Sequence, residues 1–599
     1  MSLVTAKEIA KVIKFDKFGA FGTFIGWLFL KLTRISEVDK VYISVKHLKG
    51  VSFLDGLLNG YKIKYEIPEE DLKRLPKEGS FITVSNHPLG GIDGILLMKL
   101  MVEHNPDYKI IANFLLHRAI PLQEIIFPVN PFEDHKDKKS SVLGLKDTLK
   151  HLSEGKPLGI FPAGEVSTYR DGKLIVDKPW EIGAIKLIRK AQVPVIPIYF
   201  HARNSKLFYI LSKIAPIFRT LKLPSELLTQ KNRNIKVRIG KPISVAEQNE
   251  YISIESYSEF LRRKTYMLAN AFSKKENKLL STANLKITKT PKQIVKPANQ
   301  DKIIQEIEYL KSTDSILLTS KNYKVFFSTA EKIPNILHEI GRLREITFRA
   351  IGEGTNKSID LDRYDNYYHH MFLFDEDTQQ IAGAYRMGLG SHIFPKYGMD
   401  GFYLNELFKF EPELYDFMSK SIEMGRAFVI EEYQQKPMPL FLLWKGIVHT
   451  TLRYPEHKNL IGGVSISNKF SDFSKSLMIE FMKSHYYDPY IAQYITPNLE
   501  YKVKLKDADK DFVFNGTSSD LNKFDKIIDE VEPGNLRLPV LIKKYIKQNA
   551  RVVAFNVDPL FNNAVDGLMY IRIADIPDST VKPVMEEFQA ELERKAENK

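Results

Sequence analysis

Phe81-Ile82-Thr83-Val84-Ser85-Asn86-His87-Pro88-Leu89-Gly90-Gly91-Ile92-Asp93 is the stretch on which the reading of the fold turns. Five residues of strand-forming character deliver a histidine onto a glycine-rich loop. A carboxylate follows where an apolar helix, Ile95 to Met101, begins. An imidazole at a strand end, with an aspartate close by to fix its tautomer and stabilise the imidazolium, is an economical general base. A strand, a glycine turn and a helix in succession also point to an α/β domain.

Working outward, residues 39–245 read as alternating strands and helices. Strands are expected at 81–86, 158–162, 193–200 and 235–239, and helices at 140–153 and 180–191. A helix rich in Arg and Lys over about 255–272 closes this half. The polar, basic stretch 273–300, with Pro291 and Pro297, reads as a linker. From 301 the pattern restarts. An amphipathic helix near 331–345 precedes a hairpin of 371–374 and 381–385; strands near 423–430 and 460–466 flank a helix at about 440–453. This half is expected to be α+β to about residue 580, with a short charged helix, Glu586 to Lys599, at the end of a segment 581–599.

The chain has 599 residues and no cysteine, which excludes thiol nucleophiles, disulfides and Cys-ligated zinc. Its net charge is +14, from 87 basic and 73 acidic residues. Residues 201–300 hold 20 Lys/Arg against 6 Asp/Glu, so they account for the whole surplus. Such a zone suits a lipid headgroup layer or an acidic protein. No RRM, zinc-finger or KH signature supports a nucleic-acid partner.

No stretch is long enough to span a bilayer. The longest uncharged run, Phe18 to Leu30, makes a helix of roughly 20 Å, short of the ~30 Å hydrocarbon core. Flanking lysines and Arg34, with Trp27, Phe18, Phe21, Phe24 and Phe29 inside, make residues 1–38 an amphipathic segment expected to lie in the membrane interface. The same composition fits a buried helix.

Three motifs in order, Asn86-His87 with Asp93, Phe161-Pro162-Ala163-Gly164-Glu165-Val166-Ser167 and Val193-Pro194-Val195-Ile196-Pro197, resemble the glycerolipid acyltransferases related to lysophosphatidic acid acyltransferase. The resemblance covers about 60–245 and implies an O-acyltransferase domain over 39–272. There His87 deprotonates an acceptor alcohol that attacks an acyl thioester, and Asp93 supports it. Asn86 and Gly164 would help to bind substrate. One extra residue separates His87 from Asp93 relative to the family, and Gly90 and Gly91 are expected to absorb it. Where the family carries a basic residue for a substrate phosphate, this chain has Val166, and the carboxylate stands at Glu165. A cationic or zwitterionic acceptor follows, with Glu165 facing an amino-acid headgroup and Arg170 a candidate for its carboxylate.

The distal half has Phe348-Arg349-Ala350-Ile351-Gly352-Glu353-Gly354, then Asp360, Asp362 and Asp365. His369-His370, Gly383-Ala384-Tyr385-Arg386 and Glu423-Met424-Gly425-Arg426 follow. These blocks, over about 320–575, resemble the GNAT-like N-acyltransferases of lyso-ornithine and lyso-glycine lipids, often labelled hemolysin-like. The resemblance implies amine acylation where two central strands splay apart, with Glu423 as base and Arg386 or Arg426 holding the acceptor carboxylate. The acidic run could equally cap a helix. His369 and His370 would face opposite sides of a strand, a poor metal pair, and no metal site is expected.

Gln434-Gln435-Lys436-Pro437-Met438-Pro439 stands where GNAT enzymes have a glycine-rich pyrophosphate loop. Its prolines remove amide donors. An acyl carrier protein therefore fits better than acyl-CoA as donor, and no tightly bound cofactor is expected. Together the resemblances imply a bifunctional enzyme of acyl-oxyacyl amino-acid lipids, peripheral on the cytoplasmic face of a bacterial inner membrane. Its partners would be acyl carrier protein, the membrane surface, ornithine or glycine, and a lyso-aminolipid. A lysophospholipid acyltransferase with a carrier-recruiting distal domain is the alternative, and a membrane-perturbing protein a third reading.

Overall fold

The structure is a computed structural model. It describes residues 6–7, 10, 16–32, 34–113, 116, 119–129, 138–170, 174–214, 216–272, 291–505, 520–533 and 536–597. The chain divides into two compact units, one of residues 1–273 with 529–536, the other of 274–528 with 537–599. Most of the stretch read as a linker, 273–290, lies outside the described residues.

The first unit is built on a seven-stranded sheet. Its order is Lys64–Glu66, Asn234–Ile239, Val195–His201, Ile82–Ser85, Leu158–Ile160, Lys109–Asn113 and Ile126–Val129. Every pair is parallel except Val195–His201 with Asn234–Ile239. Ile82–Ser85 is buried at all four positions, as expected of a central parallel strand. Helices Ile35–Val45, Gly50–Gly60 and Gly91–His104 contribute Val38, Tyr42, Phe53, Leu54, Leu97 and Met101 to one core with Ile196, Ile198, Ile235 and Val237 of the sheet.

The described aromatic side chains of helix Gly19–Leu32 are exposed. Phe18, just before it, is 62% exposed, and Phe21, Phe24 and Trp27 are 59%, 54% and 49% exposed. The buried-helix reading of this segment is set aside by those values. Among the described residues no helix is long and apolar enough to cross a membrane.

The second unit holds an eight-stranded sheet in the order Ile316–Ser320, Tyr323–Thr329, His369–Asp375, Gln380–Leu389, Ser421–Val429, Asn459–Ile466, Ala564–Arg572 and Arg551–Asp558. All neighbours are antiparallel except Ser421–Val429 with Asn459–Ile466. That parallel pair joins only at Ser421↔Asn459, Ile422↔Leu460 and Glu423↔Ile461. Both strands run on, each held by its outer neighbour as far as Val429 and Ile466. A wedge therefore opens in the middle of the sheet directly after Glu423. At its vertex a Cβ on Gly462 would stand 2.4 Å from the Met424 carbonyl oxygen, so only glycine permits this approach. The terminal helix is longer than its charge pattern indicates, Asp578–Glu597, and buries Val584.

Candidate active sites

In the first unit the strand Ile82–Ser85 ends at the loop that carries His87, and helix Gly91–His104 begins four residues later. Gly90, at φ 80°, makes the turn. A Cβ there would also meet Leu223 at 2.8 Å and Val166 at 3.0 Å. Gly91 is the first helical residue and has no positive φ, so Gly90 alone absorbs the extra residue between His87 and Asp93.

Asp93 is wholly buried and fixed by main-chain donors. Its Oδ2 accepts from Leu89 N at 2.9 Å and Gly90 N at 3.3 Å, and its Oδ1 from Gly94 N at 2.9 Å. The same carboxylate thus caps the helix and lies 3.2 Å from His87 Nδ1, as an ion-pair contact rather than an aligned hydrogen bond. Nδ1 being turned to Asp93, Nε2 is the nitrogen available to a substrate hydroxyl. The imidazole keeps 18% of its surface exposed and rests on the Phe161 ring, centroids 4.2 Å apart. Burial pushes its pKa down, but the carboxylate of Asp93, with help from Asp177, more than reverses this and leaves it above the usual imidazole value.

The other expected residues of this site separate. Asn86 spends its amide on the neighbouring strand, accepting from Phe200 N at 2.8 Å and donating to Phe200 O at 3.0 Å. Both of its polar ends are engaged in the interior, where it braces the sheet. Gly164 turns the second motif at φ 65°. Glu165 is partly buried, with Oε1 3.9 Å from Lys178 Nζ, which in turn lies 2.6 Å from Glu181 Oε1. Val166 is buried with Phe208 and Tyr209 in an apolar cluster that Tyr169, Ile175 and Leu223 complete. This is no place for a phosphate. Arg170 ends the strand Thr168–Arg170, and its side chain lies outside the described residues.

In the second unit Glu423 is buried at the vertex of the wedge. Tyr368 donates to its Oε2 at 2.9 Å, and Tyr403 N donates to the Tyr368 oxygen at 3.0 Å. Burial raises the Glu423 pKa to about 7, against the lowering pull of Tyr368 and Arg386. A base poised near neutrality suits proton abstraction from an amine. Three residues on, a bulge sets Arg426 and Ala427 opposite Tyr385 alone, and Arg426 takes φ 52°. Bulges re-aim side chains beside functional sites.

The acidic run and the arginines form one buried network. Arg344 holds Asp365 through two hydrogen bonds, 2.9 and 3.1 Å. Arg386 lies 2.6 Å from Asp362 Oδ1 and 3.3 Å from Asp365 Oδ2, among the rings of Tyr364, Tyr368 and Tyr403. The cap reading is also met, since Asp362 accepts from Tyr364 N and Asp365 from Asp362 N. Arg386 is 2% exposed and committed to these carboxylates, which makes it an internal support. Arg426 has only longer contacts, 3.6 Å to Asp360 and 3.4 Å to Asp362, and its Nε is buried without a hydrogen bond. Of the two arginines it is the one with donors left for an acceptor carboxylate.

His370 binds the Asp365 carbonyl at 2.9 Å while His369 stacks on Phe327, so the two do part to opposite faces. Sequence reasoning missed Tyr368 and Asp177. Neither belongs to a motif, and each reaches its site only through folding.

Residues 21–274 match the family model of an acyltransferase, and residues 343–444 that of an acetyltransferase (GNAT) domain. A glycine N(alpha)-acyltransferase of Bacteroides thetaiotaomicron is 30% identical over 208 residues, 33% of this chain and 61% of that protein. A glycine N(alpha)-acyltransferase of Phocaeicola vulgatus is 29% identical across 42% of this chain and 80% of its own length. A lyso-glycine lipid O-acyltransferase of Bacteroides thetaiotaomicron is 28% identical across 40% of this chain and 88% of its own length.

Proposed function

We propose, from a chain that carries an acyltransferase domain followed by a GNAT domain, that this is a bifunctional enzyme building acyl-oxyacyl amino-acid lipids. The distal domain transfers a 3-hydroxyacyl group from acyl carrier protein to the α-amine of glycine or ornithine. The proximal domain then acylates the hydroxyl of that chain. One observation carries the proposal: two bases of different kinds occupy one chain, His87 with Asp93 and Glu423 with Tyr368. Glycine stands first among acceptors, because relatives matched by this chain are named for acylating glycine and for acylating lyso-glycine lipid.

In the first step the acceptor α-carboxylate meets Arg426, and Glu423 takes the amine proton as nitrogen attacks the thioester carbonyl. The N–C bond forms, the C–S bond breaks, and the phosphopantetheine thiolate leaves with a proton. Pro437 and Pro439, at the start of helix Met438–Arg453, withhold amide donors from a pyrophosphate. That supports a carrier protein over CoA as donor.

In the second step His87 Nε2 takes the proton of the 3-hydroxyl as its oxygen attacks the second thioester. The imidazolium, held by Asp93, returns the proton to the departing thiolate. The exposed rings of Phe18, Phe21, Phe24 and Trp27 seat the enzyme peripherally on the cytoplasmic side of the membrane, where the one-chain intermediate stays concentrated.

The test is one competition assay. Purified full-length chain receives 3-hydroxyacyl carrier protein with equal glycine, ornithine, lysine and serine. The proposal expects N-acylglycine, or N-acylornithine as the second choice, to dominate. No N-acyl product from any of the four would contradict it.

A further inference from the structure

We infer that Asp177 is a positioning residue for His87, clasping the two motif loops together and placing a second carboxylate behind the imidazole. The inference rests on the O-acyl-transfer role proposed for His87.

Asp177 follows the small strand Leu174–Val176 and is almost completely buried. Its Oδ1 accepts two hydrogen bonds, from His87 N at 3.2 Å and from Ser167 Oγ at 2.5 Å. Ser167 N in turn donates to His87 O at 2.8 Å. Asp177, His87 and Ser167 therefore close a triangle that ties the histidine loop to the second motif. The acceptor-only pattern of the Asp177 oxygen in this triangle suits a carboxylate. Asp177 itself is anchored by its main chain: its N–H donates to Tyr266 Oη at 2.9 Å, and its carbonyl accepts from Arg262 Nη2 at 2.9 Å. Both partners lie on helix Ile254–Met267, which makes the anchor a rigid one.

The electrostatic surroundings are few. His87 meets Asp93 and Asp177; Asp177 meets His87, Ser167, Tyr266 and Tyr199, with Arg262 at its carbonyl and Lys178 next in the chain. Asp93 pairs with the ring nitrogen, whereas Asp177 grips the histidine main chain. Burial pushes the Asp177 carboxyl up, while Ser167 and the His87 main chain pull it down; ionised, it joins Asp93 in stabilising the imidazolium in a site of low dielectric. Asp177 thereby sets the direction of the ring as well as the ease of charging it.

The experiment uses the full chain and steady-state O-acylation of purified N-(3-hydroxyacyl)glycine. Asp177→Asn keeps an acceptor for both hydrogen bonds but removes the charge. The expected result is a kcat lowered roughly tenfold, a fraction of the worth of a general base. KM should stay within about twofold, and the acidic limb of the pH profile should move to lower pH. Ser167→Ala, which cuts one bond of the triangle without changing charge, should lower kcat with the limb in place. Asp177→Glu restores the carboxylate and should return the limb towards wild type even where packing costs rate, which covers an unstable Asn variant. Wild-type kcat and an unmoved limb in Asp177→Asn, with His87→Ala inactive, would overturn the inference. A wild-type chain that makes no O-acyl product, or an active His87→Ala, would instead sink the function on which it rests.

Discussion

Tyr368 donates its hydroxyl hydrogen to Glu423 Oε2 across 2.9 Å, at the point where two parallel strands cease to pair. The bond favours the ionised carboxylate, while burial favours the neutral acid. The balance places Glu423 near pH 7, where it can both hold and release a proton. Removing the hydroxyl should tip that balance.

Tyr368→Phe is expected to move the acidic limb of N-acylation up by roughly one pH unit, since a hydrogen bond to a charged group is worth about 1.5–3 kcal/mol. Activity should fall most at pH 7 and recover at pH 9. A pH–rate profile checks this, and a uniform loss at all pH values would assign Tyr368 to packing alone.

Glu423 also predicts a pH dependence of stability. Its folded pKa, about 7, stands above the ordinary value of 4.5. The unfolded chain therefore releases this proton first, and stability falls as pH rises from about 4.5 to about 7. At pH 8 the cost is on the order of 3 kcal/mol. Glu423→Gln should raise Tm relative to wild type at pH 8 but not at pH 4.5, while abolishing N-acylation. Thermal melts at the two pH values decide it.

Gly90→Ala meets two obstacles, a left-handed φ of 80° and side chains of Leu223 and Val166 within 3.0 Å. A loss of roughly 1–3 kcal/mol is expected from the backbone alone. O-acylation should drop with it, because the turn sets the His87–Asp93 distance. An unchanged melting curve and O-acylation rate would count against that geometry.

Glu165 and Lys178 face each other at 3.9 Å beside the second motif. An ornithine headgroup offers an ammonium to Glu165, whereas an N-acylglycine offers only a carboxylate. Glu165→Gln should lower the preference of O-acylation for the ornithine-derived over the glycine-derived acceptor several-fold. A competition assay with both acceptors reads it, and an unchanged ratio removes Glu165 from acceptor selection.

Much of this was legible in the chain because it is local. The run Phe81 to Asp93 contains its strand, its turn and both members of the His87–Asp93 pair. The hairpin of His369–Asp375 and Gln380–Leu389 announced itself by its turn. What escaped depends on distance. Asp177 lies 90 residues from His87 in sequence and touches its main chain, which no motif records. The resemblance offered Arg386 as a substrate ligand, but folding pairs it with Asp362 and Asp365, which also cap the turn that they begin. The wedge after Glu423 is a matter of where pairing stops, and a strand pattern looks the same on either side of it. Lys109–Asn113 and Ile126–Val129 escaped because lysine, asparagine or proline interrupts their strand pattern.

The central claim is that one chain adds both acyl groups in order. Expression of wild type and His87→Ala in a host without such lipids, followed by mass analysis of the extracts, tests it most directly. The account predicts two-chain aminolipid from wild type and accumulation of the one-chain N-acyl lipid from His87→Ala. Two-chain lipid from the His87 variant would contradict it.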